Sequence, residues 1–234
     1  MANRKHLTSR DIKLINFLEE NNLIITSELA AKYFYRSPTD NHKSALTVAQ
    51  KRLNICCELK ELKRFRDHID QSYIYYVGKR PSKIEHRLMI TEFLINMHRK
   101  YEIIKFKVEF KDLESQYSIR PDIFIVFRFG TKLVSALVEC ENKKTYSNED
   151  KYKTICTDYA RKKILHILPY PLWLICVSKQ EPETTLKPLW IKSDYSNFSA
   201  LEQQLVREYV VRQKVNSKGW ATLKPSLFLL QKFF

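Results

Sequence analysis

Residues 120–141 read RPDIFIVFRFGTKLVSALVECE, and this stretch decides the fold of the second half of the chain. It contains two apolar runs rich in β-branched and aromatic residues, 120–129 and 133–141, a composition that favours β-strands. Between them stands Gly130-Thr131, a short turn that lets the two runs pair as a hairpin. The stretch therefore predicts two paired antiparallel strands.

Segments on both sides of this hairpin extend it into a larger unit. Their hydrophobic patterns predict an amphipathic helix at 83–100, an alternating strand at 103–110, a helix at 147–165, an apolar buried strand at 171–177 and a last helix at 198–214. This order of helices and strands is typical of a mixed α/β sandwich. We therefore expect residues 80–234 to form one mixed α/β domain.

The first part of the chain has a different pattern, which ends in a basic hairpin. It predicts three helices that begin near residues 9, 27 and 44, followed by two short strands at 63–66 and 72–77. Three helices followed by a hairpin are the order of a winged helix-turn-helix, whose third helix enters the major groove of DNA. The sequence thus predicts an α+β protein of two domains, 1–79 and 80–234.

The third predicted helix has a polar face that suits contacts with DNA. Thr47, Gln50, Lys51 and Asn54 are spaced at i, i+3, i+4 and i+7, so they share one side of the helix. Side chains of these types hydrogen-bond to base edges or to phosphates. The residues predicted to bind DNA are Lys43, Thr47, Gln50, Lys51, Asn54, Lys63, Arg64 and Arg66. The alternative is an ordinary solvent-exposed helix face.

Net charge supports a polyanionic partner. The chain has 41 Lys and Arg against 26 Asp and Glu, which gives a formal net charge of +15. The excess is spread over both predicted domains, with 14 − 9 = +5 in residues 1–79 and 27 − 17 = +10 in residues 80–234. Such a charge attracts nucleic acid by long-range attraction and counterion release. A generally basic protein without a specific anion is the alternative.

Composition excludes several other classes. With only three glycines in 234 residues, the chain has no glycine-rich phosphate-binding loop and no dinucleotide-binding fingerprint. The five cysteines form no C-x-x-C pair, so neither a zinc ribbon nor a disulfide framework is expected. The longest apolar stretch, 167–177, is too short to cross a membrane. These features, with no apolar leader, predict a cytoplasmic protein with reduced thiols and no membrane partner.

Three acidic residues stand out in the predicted sheet. Asp122 precedes one strand, and Glu139 and Glu141 end the next, where a hairpin can bring them together. Three converging carboxylates repel one another unless a cation such as Mg²⁺ joins them, and bound Mg²⁺ can activate water against a phosphodiester. In the alternative reading, Asp122 caps a turn and the glutamates pair with Lys143, Lys144 or Arg120.

The order of these motifs resembles known DNA-processing proteins. Pro121-Asp122, a hydrophobic strand and then Glu139-x-Glu141 are similar to the PD-(D/E)XK nuclease core. The chain as a whole resembles the bacterial plasmid replication-relaxation family through LTSRDIKLINFLEE (7–20), AQKRLNICCELKELKRF (49–65), IEHRLMITEFL (84–94), RPDIFIV (120–126), LVECENKKT (137–145) and KYKTICTDY (151–159). The resemblance implies a winged helix-turn-helix and a nuclease-like domain that act in plasmid replication control or mobilisation.

The resemblance also implies roles for individual residues. In the nuclease core two acids bind Mg²⁺ and a lysine orients the attacking water, so Asp122 and Glu139 would be the metal ligands. Glu141 stands where the nuclease pattern has its lysine, and Lys143 from the following loop is the candidate that would help to position water. The departure at Glu141 favours a degenerate nuclease scaffold over an active one.

These inferences leave three hypotheses. The first is a double-stranded DNA-binding protein of a mobile genetic element, and the second is an active Mg²⁺-dependent DNA endonuclease that uses Asp122, Glu139, Glu141 and Lys143. The third is an adaptor that contacts other replication or mobilisation proteins. A homodimer is a further expectation, because winged-helix proteins commonly bind two-fold DNA sites as dimers.

Overall fold

The computed structural model describes residues 7–36, 41–141, 146, 148–199 and 203. The chain divides into two compact units, Met1–Lys100 and Tyr101–Phe234. The sequence placed the domain boundary at 79/80, but the helix that follows, Ile84–Lys100, contacts a strand of the first unit. The division by contacts therefore falls about one helix later than the sequence boundary.

The first unit contains four α-helices, one π-helical turn and three short strands in the part of the chain that is described. They are α1 Ser9–Asn21, β1 Ile24–Thr26, α2 Ser27–Ala30, the π-helical turn Ala31–Tyr35, α3 His42–Glu58, β2 Lys63–Phe65, β3 Ile74–Tyr76 and α4 Ile84–Lys100. The strands form an antiparallel sheet in the order β1-β3-β2. This confirms the predicted helices and hairpin, and it adds β1, which the sequence pattern did not predict.

Local signals explain where these helices begin and end. Thr8 caps α1, and its side chain and that of Asp11 form a reciprocal capping box. Asn22 ends α1 in a left-handed conformation, which asparagine tolerates well. Asn41 caps α3 by accepting a hydrogen bond from the Ser44 backbone N–H at 2.8 Å, so α3 starts two residues earlier than predicted.

The second unit is built on one five-stranded sheet. Its described elements are β4 Ile103–Val108, α5 Glu114–Tyr117, β5 Ile123–Phe129, β6 Lys132–Glu141, α6 Glu149–Ala160, β7 Leu172–Ser178 and β8 Leu189–Lys192. The strand order is β4-β5-β6-β7-β8. Strand β5 pairs antiparallel with β4 and with β6, whereas β7 pairs parallel with β6 and with β8. The sheet and its helices agree with the mixed α/β arrangement that the sequence predicted, and the structure adds the directions of strand pairing. The predicted last helix at 198–214 lies almost wholly outside the described residues.

The register of β5 and β6 positions the acidic residues. Ile123 pairs with Val138, so Asp122 lies directly opposite Glu139 when the ladder is continued by one residue. Both then point to the same side of the sheet as the core residues Phe124 and Leu137. That side is covered by α6, so the pair lies where the sheet meets this helix.

No helix within the described residues is long and apolar enough to cross a membrane.

Candidate nucleic-acid interface and acidic site

Helix α3 keeps its polar face on the surface of the first unit. Thr47, Gln50, Lys51 and Asn54 are all exposed, and Lys43 is exposed one turn earlier. The opposite side of the helix is fully or almost fully buried through Ala45, Ala49, Leu53 and Cys56. The structure therefore places the predicted DNA-binding residues of this helix on one accessible surface.

Two of these side chains already have hydrogen-bond partners. The Thr47 hydroxyl donates to the Lys43 carbonyl one turn back at 3.1 Å, which occupies its only donor. The Asn54 Oδ1 accepts a hydrogen bond from Arg64 of the hairpin. Gln50 and Lys51 make no hydrogen bond or ion pair within the described part of the chain. Their polar ends therefore remain available to a ligand.

The hairpin presents two arginines on the side that faces α3. Arg64 and Arg66 are two residues apart, so they share one face of β2 and its extension. Both guanidinium groups lie over the Tyr73 ring, with Cζ at 4.5 Å and 4.7 Å from its centroid, as in cation–π contacts. Arg66 also donates to the Ile69 carbonyl at 2.9 Å. The pair forms a compact cationic surface beside the helix.

Lys63 does not belong to this surface. It alternates with Arg64 along β2, so it lies on the other face of the hairpin, where its Nζ donates to the Gly78 carbonyl at 2.8 Å. Arg80 lies on that same face, 3.8 Å from the Phe65 ring centroid, and pairs with Asp67 at 2.9 Å. The predicted set of three hairpin cations is thus split between two faces, and the sequence analysis did not single out Arg80.

A buried carboxylate anchors α3 to the rest of the first unit. Asp11 is fully buried, and it accepts hydrogen bonds from the Thr8 backbone at 2.6 Å, the Thr8 hydroxyl at 2.7 Å and the Tyr35 hydroxyl at 2.7 Å. Arg52 of α3 donates to both of its oxygens. Burial alone would raise the pKa of Asp11, but these bonds, that from Arg52 foremost, bring it below its ordinary value. The network joins α1, the π-helical turn and α3 through one charge.

Asp122 and Glu139 meet in the second unit, as the sequence predicted for two of its three acids. Their carboxyl groups are close enough for Asp122 to raise the pKa of Glu139. Asp122 also accepts from the Cys140 backbone N–H at 2.8 Å, and the Tyr152 hydroxyl of α6 donates to Glu139. Glu139 is only 7% exposed, so its carboxyl group is largely removed from water.

This environment favours the protonated form of Glu139. Burial raises the pKa of Glu139 well above its ordinary value, the Asp122 and Glu141 carboxylates raise it further, and the hydrogen bond from Tyr152 opposes part of the effect. A bound cation would have the opposite effect, because it favours the charged form. Glu139 therefore favours its protonated form without a cation, and a divalent cation at this position would favour its charged form.

The expected cluster of three carboxylates does not form a complete metal site. Within the described residues, no group of three or more His, Cys, Asp and Glu side chains is arranged to hold a metal ion. Glu141 is half-buried at the end of β6, and Lys143 and Lys144 lie outside the described residues. Asp122 and Glu139 alone still suit Mg²⁺, which often binds through one or two carboxylates and keeps several waters.

Tyr146 is a neighbour of this pair that the sequence analysis missed. Its ring centroid lies 5.4 Å from that of Tyr152, and its side chain is almost fully buried. Its hydroxyl has no hydrogen-bond partner among the described residues. Burial raises the pKa of Tyr146 well above its ordinary value, and the nearby Glu139 adds to the effect. Nothing in the periodicity around residue 146 marks this position.

Comparison with known proteins identifies no family. No family model matches the chain, and no curated protein matches it. A solved structure that resembles it is the crystal structure of protein VC1899 from Vibrio cholerae, with 11% sequence identity and a TM-score of 0.29 over 84% of this chain and 50% of that chain. The chain thus spans half the length of that protein. A similarity this low does not indicate a shared fold or function. The resemblance to the plasmid replication-relaxation family stays a prediction from the sequence.

Proposed function

We propose that this chain is a double-stranded DNA-binding protein that places α3 in the major groove and its hairpin against the backbone. The observation that carries the proposal is the exposed polar face of α3 beside the arginine pair of the hairpin. The Arg64–Asn54 hydrogen bond holds these two surfaces next to each other. A helix and a cationic hairpin on one side are what a groove and its flanking phosphates require.

The order of elements in the first unit supports this proposal. Helices α1, α2 and α3 precede the β2–β3 hairpin, and β1 pairs with the free side of β3. This is the element order of a winged helix-turn-helix. Helix α3 has 17 residues, so it is about 25 Å long. That length is sufficient to follow a major groove over several base pairs.

The second unit supplies further positive charge to the same partner. Its excess of basic residues can attract a duplex whether or not it catalyses a reaction. On the resemblance to the plasmid replication-relaxation family, we extend the proposal to DNA of a mobile genetic element, in replication control or mobilisation. The nuclease-like part is then a degenerate scaffold, because Glu141 stands where the catalytic lysine is expected.

Replacing Lys51 by glutamate tests the role of α3. The exposed Lys51 lies in the middle of the polar face, so we expect about a five- to tenfold loss of affinity for duplex DNA at low salt, because attraction is replaced by repulsion. Fluorescence anisotropy with a labelled duplex over a salt series measures both affinity and slope. Wild-type affinity should fall steeply with salt.

The matched control is Lys13→Glu, which makes the same charge change at an exposed position of α1. It should reduce the affinity far less than the change at Lys51. Equal losses for the two variants would mean that only net charge matters, and the assignment of α3 would be wrong. If the wild type binds no nucleic acid at low salt, the DNA-binding proposal fails and the adaptor hypothesis replaces it.

A Mg²⁺-dependent DNA endonuclease is the second candidate function, favoured by the meeting of Asp122 and Glu139. These two carboxylates would hold the cation, and Cys140 and Tyr152 orient them through their hydrogen bonds. Bound Mg²⁺ supplies a Lewis acid that polarises a phosphodiester and lowers the pKa of water. The chain's own contribution is to keep the two acids together at the end of the sheet.

We expect supercoiled plasmid to stay intact when it is incubated with the wild type and Mg²⁺ or Mn²⁺. The reason is that Glu141 occupies the position of the water-orienting lysine. Gel electrophoresis of plasmid treated with the wild type and with Asp122→Asn measures this. Cleavage by the wild type that is lost in the variant would overturn the expectation and establish the endonuclease.

A further inference from the structure

The hydrogen bond between Arg64 and Asn54 has a consequence for base recognition. Arg64 Nη1 donates to Asn54 Oδ1, although the two residues belong to different elements, the hairpin and α3. Both side chains are exposed, so no requirement of burial forces them to pair. The contact joins a residue predicted to contact phosphate with one predicted to contact bases.

Arg64 is also held in place by an aromatic ring. Its guanidinium lies over the Tyr73 ring with Cζ at 4.5 Å from the centroid. A stacked guanidinium donates its hydrogen bonds in its own plane. Its contacts with Tyr73 and Asn54 restrict how far the Arg64 side chain can move toward a phosphate.

The same bond fixes what Asn54 can offer to a base. Its carboxamide has one acceptor oxygen and one amino group with two donors. Because Oδ1 receives the Arg64 donor, the amino group is turned away from Arg64. The arginine has only donors. Oδ1 keeps one lone pair, but most of the hydrogen-bonding groups that the Arg64–Asn54 pair presents to a ligand are N–H donors.

In the major groove, such a surface discriminates between purines. Adenine is contacted by an asparagine that donates to N7 and accepts from the N6 amino group, whereas guanine presents two acceptors, N7 and O6. A pair whose available groups are mainly donors matches guanine better than adenine. We propose that Arg64 is a specificity-determining residue that orients Asn54 toward guanine, rather than a phosphate contact; this rests on the proposed function.

Arg66 provides a matched comparison within the same hairpin. It lies over the same Tyr73 ring, with Cζ at 4.7 Å from the centroid, but its hydrogen bond goes to the Ile69 carbonyl of the hairpin. It therefore shares the aromatic contact and the charge of Arg64 without the bond to α3. Arg66 is assigned to the phosphate backbone.

The experiment begins with selection of binding sites from random duplex DNA. We expect the wild type to select a site with a conserved guanine whose preference over adenine is about fivefold or more, the lower end for a good base contact. Asn54→Ala and Arg64→Gln should lose this preference at the same position. Arg66→Gln should keep it. Circular dichroism checks that each variant is folded.

The salt dependence of affinity separates the two roles. Removing a phosphate contact lowers the slope of log K against log salt by about 1. We expect this for Arg66→Gln, and a much smaller change for Arg64→Gln. Replacing the selected guanine by 7-deazaguanine, which lacks the N7 acceptor, should weaken the wild type but not Asn54→Ala.

Each contrary outcome has a distinct meaning. If Arg64→Gln lowers the slope by about 1 and keeps the base preference, Arg64 is a phosphate contact and the inference is wrong, while the proposed function stands. If the wild type binds duplex DNA but selects no guanine at a position sensitive to Asn54→Ala, the inference is also wrong. Absence of any duplex binding would instead refute the proposed function itself.

Discussion

Replacing Asp11 by alanine is expected to lower the free energy of unfolding of the first unit by about 3 kcal/mol, the lower end of the cost of breaking a buried ion pair on one side, because the remaining Arg52 side chain is partly exposed. The change removes the common acceptor of Thr8, Tyr35 and Arg52. The buried Tyr35 hydroxyl then has no acceptor, and the partly exposed Arg52 guanidinium loses its counter-charge. Chemical unfolding of the full chain, followed by far-ultraviolet circular dichroism, measures the loss.

A double-mutant cycle with Arg52→Met tests the physical reason. Either single change leaves a partner without its counter-charge, whereas the double change removes both charges, so the double variant should lose less than the sum of the two. Additive losses would contradict the network. The difference in stability between wild type and Asp11→Ala should also shrink in acid. The pKa of Asp11 is lower in the folded protein than in the unfolded chain, so ionised Asp11 stabilises the fold at a pH above its ordinary pKa. This stabilisation is lost as the pH falls through the pKa of Asp11 in the folded protein.

Replacing Glu139 by glutamine is expected to raise the stability of the second unit by about 2 kcal/mol at about pH 8 without metal, at the upper end for single stabilising changes. Glutamine keeps an acceptor for the Tyr152 hydroxyl but carries no charge near Asp122. All three tryptophans of the chain lie in the second unit. Denaturant unfolding in EDTA, followed by tryptophan fluorescence, therefore measures this change.

The gain should depend on pH with a defined sign. The pKa of Glu139 is raised in the folded state. Its contribution to stability therefore declines as the pH rises from the ordinary pKa of a glutamate toward the pKa of Glu139 in the folded protein. The advantage of the glutamine variant should therefore be largest at about pH 8 and small near pH 4. Glu181→Gln, at an exposed position, is the control and should show neither effect. If Glu139→Gln lowers the stability at about pH 8, the inference that the Glu139 carboxylate beside Asp122 destabilises the fold is wrong.

Several elements of the first unit could be predicted because their signals are local. The cap at Thr8 and the asparagines at the end of α1 both act within a few residues, and so does the alternation of the hairpin strands. Strand β1 could not be predicted in this way. It has three residues and forms only by pairing with β3, which is distant in the sequence, so no periodicity of its own marks it.

The acidic site shows the same limit. The sequence predicted that the hairpin would bring Asp122 near Glu139 and Glu141, and the observed register places it opposite Glu139. It did not predict that Tyr152 would donate to Glu139, since that contact depends on how α6 packs on the sheet. Tyr152 has the spacing of an ordinary core residue and is in fact fully buried. Its hydroxyl therefore gains a polar role that helical periodicity cannot indicate.

The sequence analysis grouped the hairpin cations as one charged patch, although the strand predicted at 63–66 already implies their split. Alternation along a strand sends Lys63 and Arg64 to opposite faces. The pairing of Arg64 with Asn54 requires the distance between hairpin and helix, which depends on the tertiary fold.

The π-helical turn at Ala31–Tyr35 limits how the length of the chain can change. It contains a wider turn than an α-helix would make in the same place, and this brings the Tyr35 hydroxyl to Asp11. Deletion of one residue between α2 and Tyr35 would rotate the tyrosine by about 100° around the helix axis, which is the angle of one residue in an α-helix. The hydroxyl would then point away from the carboxylate. The number of residues in this segment is thus as strictly constrained as the identity of Asp11, the residue that its tyrosine contacts.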